Sequence, residues 1–171
     1  MIETERLILR RPRVEDIELV CALWADPIVT RHISGQPLAR RQAWVNLLSM
    51  TGHWAFYGYG GWIVEEREGG EFIGQIGFQK FERGIDPSRE DRPEAGWVLS
   101  PKAHGRGYAT EAVRAIVDWA DRNLAAATTV AIISDENAAS IGVARKVGYR
   151  EITRTRYLDS SITVFERPRG G

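Results

Sequence analysis

Two kinds of hydrophobic repeat run along the chain, and together they predict four helices and seven strands. The helical spacing is clearest over 109–122, whose apolar stripe consists of Ala112, Val113, Ile116, Val117 and Ala120. Similar spacing predicts further helices over 15–26, 38–50 and 137–147. Alternating or β-branched apolar runs predict strands over 6–11, 61–67, 71–78, 94–100, 128–133, 149–157 and 161–166.

The order of these elements, β-α-α-β-β-β-α-β-α-β-β, contains both hairpins and β-α-β units. A hairpin joins antiparallel strands, whereas a β-α-β unit joins parallel ones. The sequence therefore predicts an α/β (α+β) fold, with a single mixed, mostly antiparallel twisted sheet and helices on both faces. Because the 171 residues contain no linker, internal repeat or low-complexity segment, we expect one domain over residues 1–171.

The composition narrows the classes of function. The 23 basic residues balance the 23 acidic ones, so the chain lacks the basic excess that nucleic-acid binding favours. Three histidines and one cysteine argue against a metal site and exclude an intrachain disulfide. No apolar run approaches the roughly 20 residues of a membrane span, and the N-terminus does not resemble a signal peptide. We therefore expect a cytoplasmic protein with no metal, no nucleic acid and no membrane partner.

The segment between strand 94–100 and helix 109–122 holds the first candidate site. Gly105 and Gly107 allow the backbone to turn sharply and to approach a ligand closely. A helix start presents unpaired N–H groups and a partial positive charge, and this combination suits a pyrophosphate. A plain strand-to-helix turn would also explain both glycines. The segment is neither a Walker loop nor a dinucleotide fingerprint, because the Gly-Lys-Ser/Thr triplet and the third glycine are missing.

Asn137 and Ser140 form the second candidate element. Asn is a strong N-cap and a polar residue three positions later can bond back to it, so helix capping explains the pair on local grounds. The position of the pair points beyond capping. It follows a buried strand that itself follows the candidate pyrophosphate helix, so both helix starts are expected at one sheet edge.

In combination, these segments resemble the GNAT family of N-acetyltransferases, and within it the branch of ribosomal-protein N-terminal acetyltransferases. The family's phosphate loop, Gln/Arg-x-x-Gly-x-Gly/Ala, is matched from His104 to Ala109, except that His replaces Gln or Arg at the first position. The branch's Asn-x-x-Ser and Lys-x-Gly-Phe/Tyr motifs are matched by Asn137, Ser140, Lys146, Gly148 and Tyr149. The opening Thr4-Glu5-Arg6-Leu7-Ile8-Leu9-Arg10 is similar to the branch's first strand, so the resemblance covers nearly the whole chain.

The resemblance implies that acetyl-CoA, as cosubstrate, binds in a V-shaped gap between the parallel strands 94–100 and 128–134. The pantetheine arm would pair with backbone groups of Trp97, Val98 and Leu99, and an N–H near Val98 would polarise the thioester carbonyl. The pyrophosphate would be held by His104, Gly105, Arg106, Gly107, Tyr108, Ala109 and Thr110. Further cofactor contacts would come from Asn137 and Ser140, and no metal is needed.

Direct transfer to an amine requires a base for the amine and an acid for the leaving thiolate. The resemblance suggests Glu94 as the base and Ser140 as the acid. A solvent-facing or salt-bridged Glu94 and a helix-capping Ser140 are the alternative interpretations. The Tyr that many family members use as the acid, seven positions after the Asn, is replaced by Ala144.

The acceptor itself is left open by the sequence. In this family the first two helices and their loop usually form the acceptor wall, and the aromatic stretch 54–62 either lines that pocket or packs the helices on the sheet. The candidates are a protein N-terminus, an aminoglycoside-like or polyamine substrate, and a small amino compound. Two other functions are considered: a non-catalytic acyl-CoA-binding or sensory module, and an enzyme that uses the glycine loop for ATP or NAD. Family members are often dimers, so a homodimer is a further expectation.

Overall fold

The computed structural model describes residues 1–85 and 91–171. The described strands are β1 (Ile2–Glu3), β2 (Leu7–Arg10), β3 (Gly61–Glu66), β4 (Phe72–Gln79), β5 (Glu94–Leu99), β6 (Thr128–Ser134), β7 (Arg150–Tyr157) and β8 (Ser160–Pro168). The described helices are α1 (Ile17–Trp24), α2 (Pro27–Thr30), α3 (Arg40–Tyr57), α4 (Tyr108–Asn123) and α5 (Ala138–Lys146). Short 3-10 turns precede α1 and α4.

The strands form one sheet in the order β1-β2-β3-β4-β5-β6-β8-β7. Every neighbouring pair is antiparallel except β5 and β6, which are parallel because α4 crosses over between them. The predicted single mixed, mostly antiparallel sheet is therefore confirmed. The one parallel pair among the described strands lies inside the sheet, and the strand order departs from the chain order only beyond it, where β8 lies between β6 and β7.

Helices cover both faces of the sheet, as the sequence predicts. The larger core lies under α4, and the predicted stripe of that helix is buried against β2 to β6. A smaller core lies on the opposite face, where Val20 and Trp24 of α1 meet Ala43 and Leu47 of α3 over Ile63. The two faces of β5 therefore look onto different helices, which matters for the site below.

Three differences from the predicted elements have simple physical causes. The helix predicted over 15–26 does end before Pro27, but Pro27 then occupies the first turn of a further helix, α2, where its missing N–H costs nothing. Helix α3 continues through the aromatic stretch to Gly58, because Trp54 packs edge to face against Trp62 and Trp119, with centroids 4.7 and 5.5 Å away. Strand β1 has only two residues and carries no readable pattern.

Two further observations concern the limits of the described chain. The charges and two prolines of residues 82–93 predict a connection between strands, and residues 86–90 of this segment lie outside the described residues. Among the helices that the structure describes, none combines the length and the apolar character that crossing a bilayer requires.

Candidate active site

The centre of the sheet opens between β5 and β6. The two strands pair at a single position, Glu94 with Val130, and the Val130 N–H donates to the Pro93 carbonyl at 3.0 Å. Beyond this point β5 stays paired with β4, and β6 stays paired with β8, so the two parallel strands diverge toward their carboxyl ends. A gap of this kind presents backbone donors and acceptors to an extended ligand, which can bind as an added strand. It lies between the two strands named by the resemblance.

The loop before α4 sits at the wide end of this gap. Gly105 and Gly107 have φ angles of +73° and +80°, which glycine adopts without steric cost, and Gly107 is the N-cap of α4. No side chain caps the helix, so its first N–H groups face outward from an exposed loop. The His104 Nε2–H donates to the Leu99 carbonyl at 3.2 Å and so ties the loop to the end of β5. The loop has the form of an anion site.

Two predicted loop residues direct their side chains back into the protein. The Tyr108 hydroxyl donates to the Glu66 carboxylate, which also accepts from Arg106 Nη2 at 2.6 Å, and the Tyr108 hydrogen bond lowers the pKa of Glu66. Arg6 donates to the Arg106 carbonyl at 2.9 Å and pairs with Glu111 at 2.6 Å. These side-chain contacts stabilise the loop from the protein side. Its backbone N–H groups are therefore the donors available to a ligand.

Trp97, Asn137 and Ser140 connect the two sides of the gap. The Asn137 side chain accepts from the Ser140 backbone N–H at 3.1 Å, so it does cap α5. The Ser140 hydroxyl oxygen accepts from the indole N–H of Trp97 at 3.2 Å, which links α5 to β5. Because an indole nitrogen can only donate, Ser140 is the acceptor in this bond and its own O–H proton is directed elsewhere. The arrangement suits a proton donor as well as a cap.

Glu94 lies at the narrow end of the gap and is 8% exposed. Arg83 donates to its two carboxylate oxygens at 3.0 and 3.2 Å. Burial raises the pKa of the Glu94 carboxyl above its usual value, and the attraction of Arg83 offsets this only in part. The salt-bridged interpretation of Glu94 is therefore what the structure shows. A carboxylate whose pKa is raised is also a stronger base, so the pairing does not remove the catalytic interpretation.

An open notch lies beside Glu94 on the face of α1 and α3. Gly96 belongs to the fifth of eight strands, yet it is exposed, and a Cβ built there would meet no atom within 4 Å. Side chains alternate along a strand, so Glu94, Gly96 and Val98 share one face. Val98 packs against the core under α1 and α3, which assigns that face. We call the space over Gly96, bounded by Glu94 and Val98, the notch.

The predicted site residues thus fall into groups on either side of the gap. Trp97 meets Ser140, and His104 meets Leu99, but within the described part of the chain no hydrogen bond joins Glu94 to Ser140. Instead, the two predicted catalytic side chains reach the gap from opposite faces of the sheet. Sequence reasoning missed the residues that orient this site, chiefly Arg6, Arg83, Glu66 and Glu111. Arg6, Glu66 and Glu111 act over long sequence separations, and Arg83 lies in the irregular connection before β5, so no helical or strand pattern indicates these contacts.

The aromatic stretch of α3 is explained by packing. Trp54 donates its indole N–H to the Gly61 carbonyl at 2.8 Å and stacks within the larger core, and Trp62 is 1% exposed. Phe56 is 84% exposed, so it lines no enclosed pocket. Of the two interpretations of residues 54–62, an acceptor pocket or packing of the helices on the sheet, packing is the one that applies to the tryptophans.

Comparison with known proteins agrees with this geometry. Residues 6–150 match the model of the acetyltransferase (GNAT) domain family. The uncharacterized protein YkkB of Bacillus subtilis is 33% identical over 169 residues, which cover 96% of this chain and 93% of YkkB. The uncharacterized N-acetyltransferase p20 of Bacillus licheniformis is 27% identical over 86% of this chain and 81% of its own length. A solved structure from Bordetella pertussis, assigned to the GnaT family, superposes with a TM-score of 0.87 at 29% identity, covering 97% of this chain and 98% of that one.

Proposed function

This chain belongs to the GNAT acetyltransferase family, and we propose that it transfers the acetyl group of acetyl-CoA directly to a primary amine that enters through the notch. Acetyl transfer from acetyl-CoA to an amine is the chemistry of the family. The finer proposal concerns the residues that perform it and the route by which the amine arrives. The acceptor is a protein N-terminus or a small amine.

The described residues fit acetyl-CoA. Trp97, Val98 and Leu99 pair with β4 but not with β6, so their edge of β5 borders the gap and would bind the pantetheine arm, with Asn137 and Ser140 opposite. The uncapped helix start and the loop from His104 to Thr110 would hold the pyrophosphate through backbone N–H groups. When bound, acetyl-CoA supplies an activated acyl thioester. A backbone N–H near Val98 would stabilise negative charge on its carbonyl oxygen.

The observation that carries the proposal is the approach of Glu94 and Ser140 to the gap from opposite faces. In direct transfer a C–N bond forms as the C–S bond breaks. Glu94, beside the notch, accepts the proton of the incoming amine, directly or through water. Ser140, on the side of α4 and α5, donates its free O–H proton to the departing thiolate and is reprotonated from water. With acid and base on different sides of the strand, the proton of the entering amine and the proton for the leaving thiolate are handled by separate groups.

Titration calorimetry with acetyl-CoA, ATP and NAD tests the binding part of this proposal. We expect micromolar binding of acetyl-CoA alone. Thiol release with a panel of amines, followed by mass spectrometry of the products, then tests transfer. Binding without transfer to any amine would favour the non-catalytic acyl-CoA module, whereas binding of ATP or NAD instead would contradict the assignment of the loop.

Three narrower predictions accompany the proposal. Membership of the ribosomal-protein branch would require peptides with free N-termini to be acceptors, and including such peptides in the amine panel tests it. A homodimer is tested by light scattering coupled to gel filtration. A cytoplasmic location is tested by fractionating cells that produce the protein.

A further inference from the structure

Arg83 contacts two aromatic rings and the Glu94 carboxylate beside the notch. Its guanidinium carbon lies 4.3 Å from the Phe81 ring centroid and 5.5 Å from that of Tyr157, at the end of β7. Its donors meet Glu94 at 3.0 and 3.2 Å. The side chains of Arg83 and Glu94 are 29% and 10% exposed, so neither charge is fully solvated. Phe81 and the distant Tyr157 therefore hold the guanidinium beside the Glu94 carboxylate, two positions along β5 from Gly96.

This pairing constrains which amines Glu94 can accept. An acceptor that carries only a positive charge must displace Arg83 from Glu94, which leaves the half-buried guanidinium without a counter-ion. A half-buried charge that loses its partner is destabilising. An acceptor that carries a carboxylate beside its amine replaces both partners at once, because its amine meets Glu94 while its carboxylate meets Arg83. Planar guanidinium groups bind carboxylates through two parallel hydrogen bonds.

We propose that the acceptor is a zwitterionic α-amino acid, whose carboxylate binds Arg83 and whose amine binds Glu94. This inference rests on the proposed acetyl transfer and deepens it by naming the substrate class. A polyamine, an aminoglycoside and most protein N-termini lack a carboxylate next to the reacting amine, so the Arg83–Glu94 pair disfavours them. In this assignment Arg83 is a specificity-determining residue.

The test compares each of several L-amino acids with its own carboxamide in the thiol-release assay. The two compounds share the side chain and the α-amine and differ in the negative charge. The amide has the less basic amine, which favours it chemically, so a preference for the acid must arise from the carboxylate. We expect kcat/KM to be about 10- to 100-fold higher for the preferred acid than for its amide, as one charged hydrogen-bonded contact provides.

Variants at Arg83 assign this preference to its guanidinium. In Arg83→Gln the acid-to-amide ratio should fall at least tenfold, and Arg83→Lys should retain part of it because it keeps the charge but loses the fork. Arg122→Gln, a change of an exposed arginine at the far end of α4, should leave the ratio unaltered. Acetyl-CoA binding by each variant shows that the variant is folded. If Arg83→Gln does not bind acetyl-CoA, the acid-to-amide ratios of the wild type and of Arg83→Lys test the proposal instead.

The outcomes separate the two levels of the proposal. Equal turnover of acids and amides by the wild type, or a ratio that survives in Arg83→Gln, overturns the zwitterion assignment and leaves acetyl transfer intact. Acetyl-CoA binding without transfer to any acid, amide or simple amine overturns the proposed function and this inference with it.

Discussion

Replacing Glu94 with glutamine is the most direct probe of the proposed chemistry. The change preserves volume and leaves an oxygen that can still accept from Arg83, but it removes the negative charge and the basic site. Loss of a positioned general base lowers kcat by about 10²- to 10⁴-fold. This corresponds to about 3 to 5 kcal/mol of transition-state stabilisation. Arg83 also loses its counter-charge, so the free energy of unfolding should fall by about 1 to 3 kcal/mol.

Steady-state kinetics, calorimetry and a pH series together measure the effect of Glu94→Gln. Acetyl-CoA affinity should change little, because Glu94 lies at the narrow end of the gap, away from the loop before α4. Burial raises the pKa of the Glu94 carboxyl, and only its ionised form accepts a proton. Wild-type kcat/KM should therefore fall as the pH drops through that raised pKa. The variant should lack this acidic limb and follow only the titration of the amine.

A matched variant and a clear contrary result complete the experiment. Glu71→Gln changes an exposed glutamate outside the site and should behave like the wild type. The reasoning is refuted if Glu94→Gln keeps kcat within threefold of the wild type and retains the acidic limb while remaining folded. In that case Glu94 would serve only as the counter-ion of Arg83.

Three further substitutions probe the acid, the loop and the frame. Ser140→Ala should lower kcat about tenfold or more at near-normal acetyl-CoA affinity, as kinetics and calorimetry would show; equal kcat would leave Ser140 as a cap alone. Gly107→Ala forces a side chain into φ +80°, which costs about 1 to 2 kcal/mol, so the Kd for acetyl-CoA should rise about 5- to 30-fold in calorimetry. Arg167→Met removes the ion pair with Asp121 and the hydrogen bond to the Val147 carbonyl at a site only 4% exposed, and should cost about 3 to 5 kcal/mol in urea unfolding. Arg169→Met, at an exposed arginine, should cost under about 1 kcal/mol.

The fold was predictable because its main signals are local. The stripe of α4, the β-branched run of β6 and the Gly-containing turn between β3 and β4 each specify an element without reference to the rest of the chain. The features that the sequence did not predict depend on contacts between residues far apart in the chain. The second half of α3 is helical because its tryptophan packs against β3 and α4, and the two-residue β1 exists only by pairing with β2. Tertiary packing overrides weak local preference in both cases.

In the candidate site, too, the features that depend on local geometry were predicted and those that depend on tertiary contacts were not. Residue spacing predicts the glycine loop and the Asn137 cap, because each depends on backbone geometry over a few residues. The contact of Trp97 with Ser140 could not be predicted because it joins β5 to α5, which only the fold brings together. The pairing of Arg83 with Glu94 could not be predicted because Arg83 lies in an irregular connection whose path follows no local pattern. The first contact orients the Ser140 hydroxyl, and the second sets the charges that a substrate meets beside Glu94. Sequence therefore predicts the class of reaction more readily than its acceptor.

The placement of the proposed base and acid on opposite faces of the sheet follows from the two-residue period of β5. Glu94 and Trp97 are three positions apart, and an odd spacing places their side chains on opposite faces of a regular strand. One face meets the notch and the other meets α5, so this short strand separates the proton acceptor from the partner of the proton donor. Inserting or deleting one residue between them would put both on one face and disrupt the arrangement. The spacing from Glu94 to Trp97 is thus as much a requirement of the proposed mechanism as the two residues themselves.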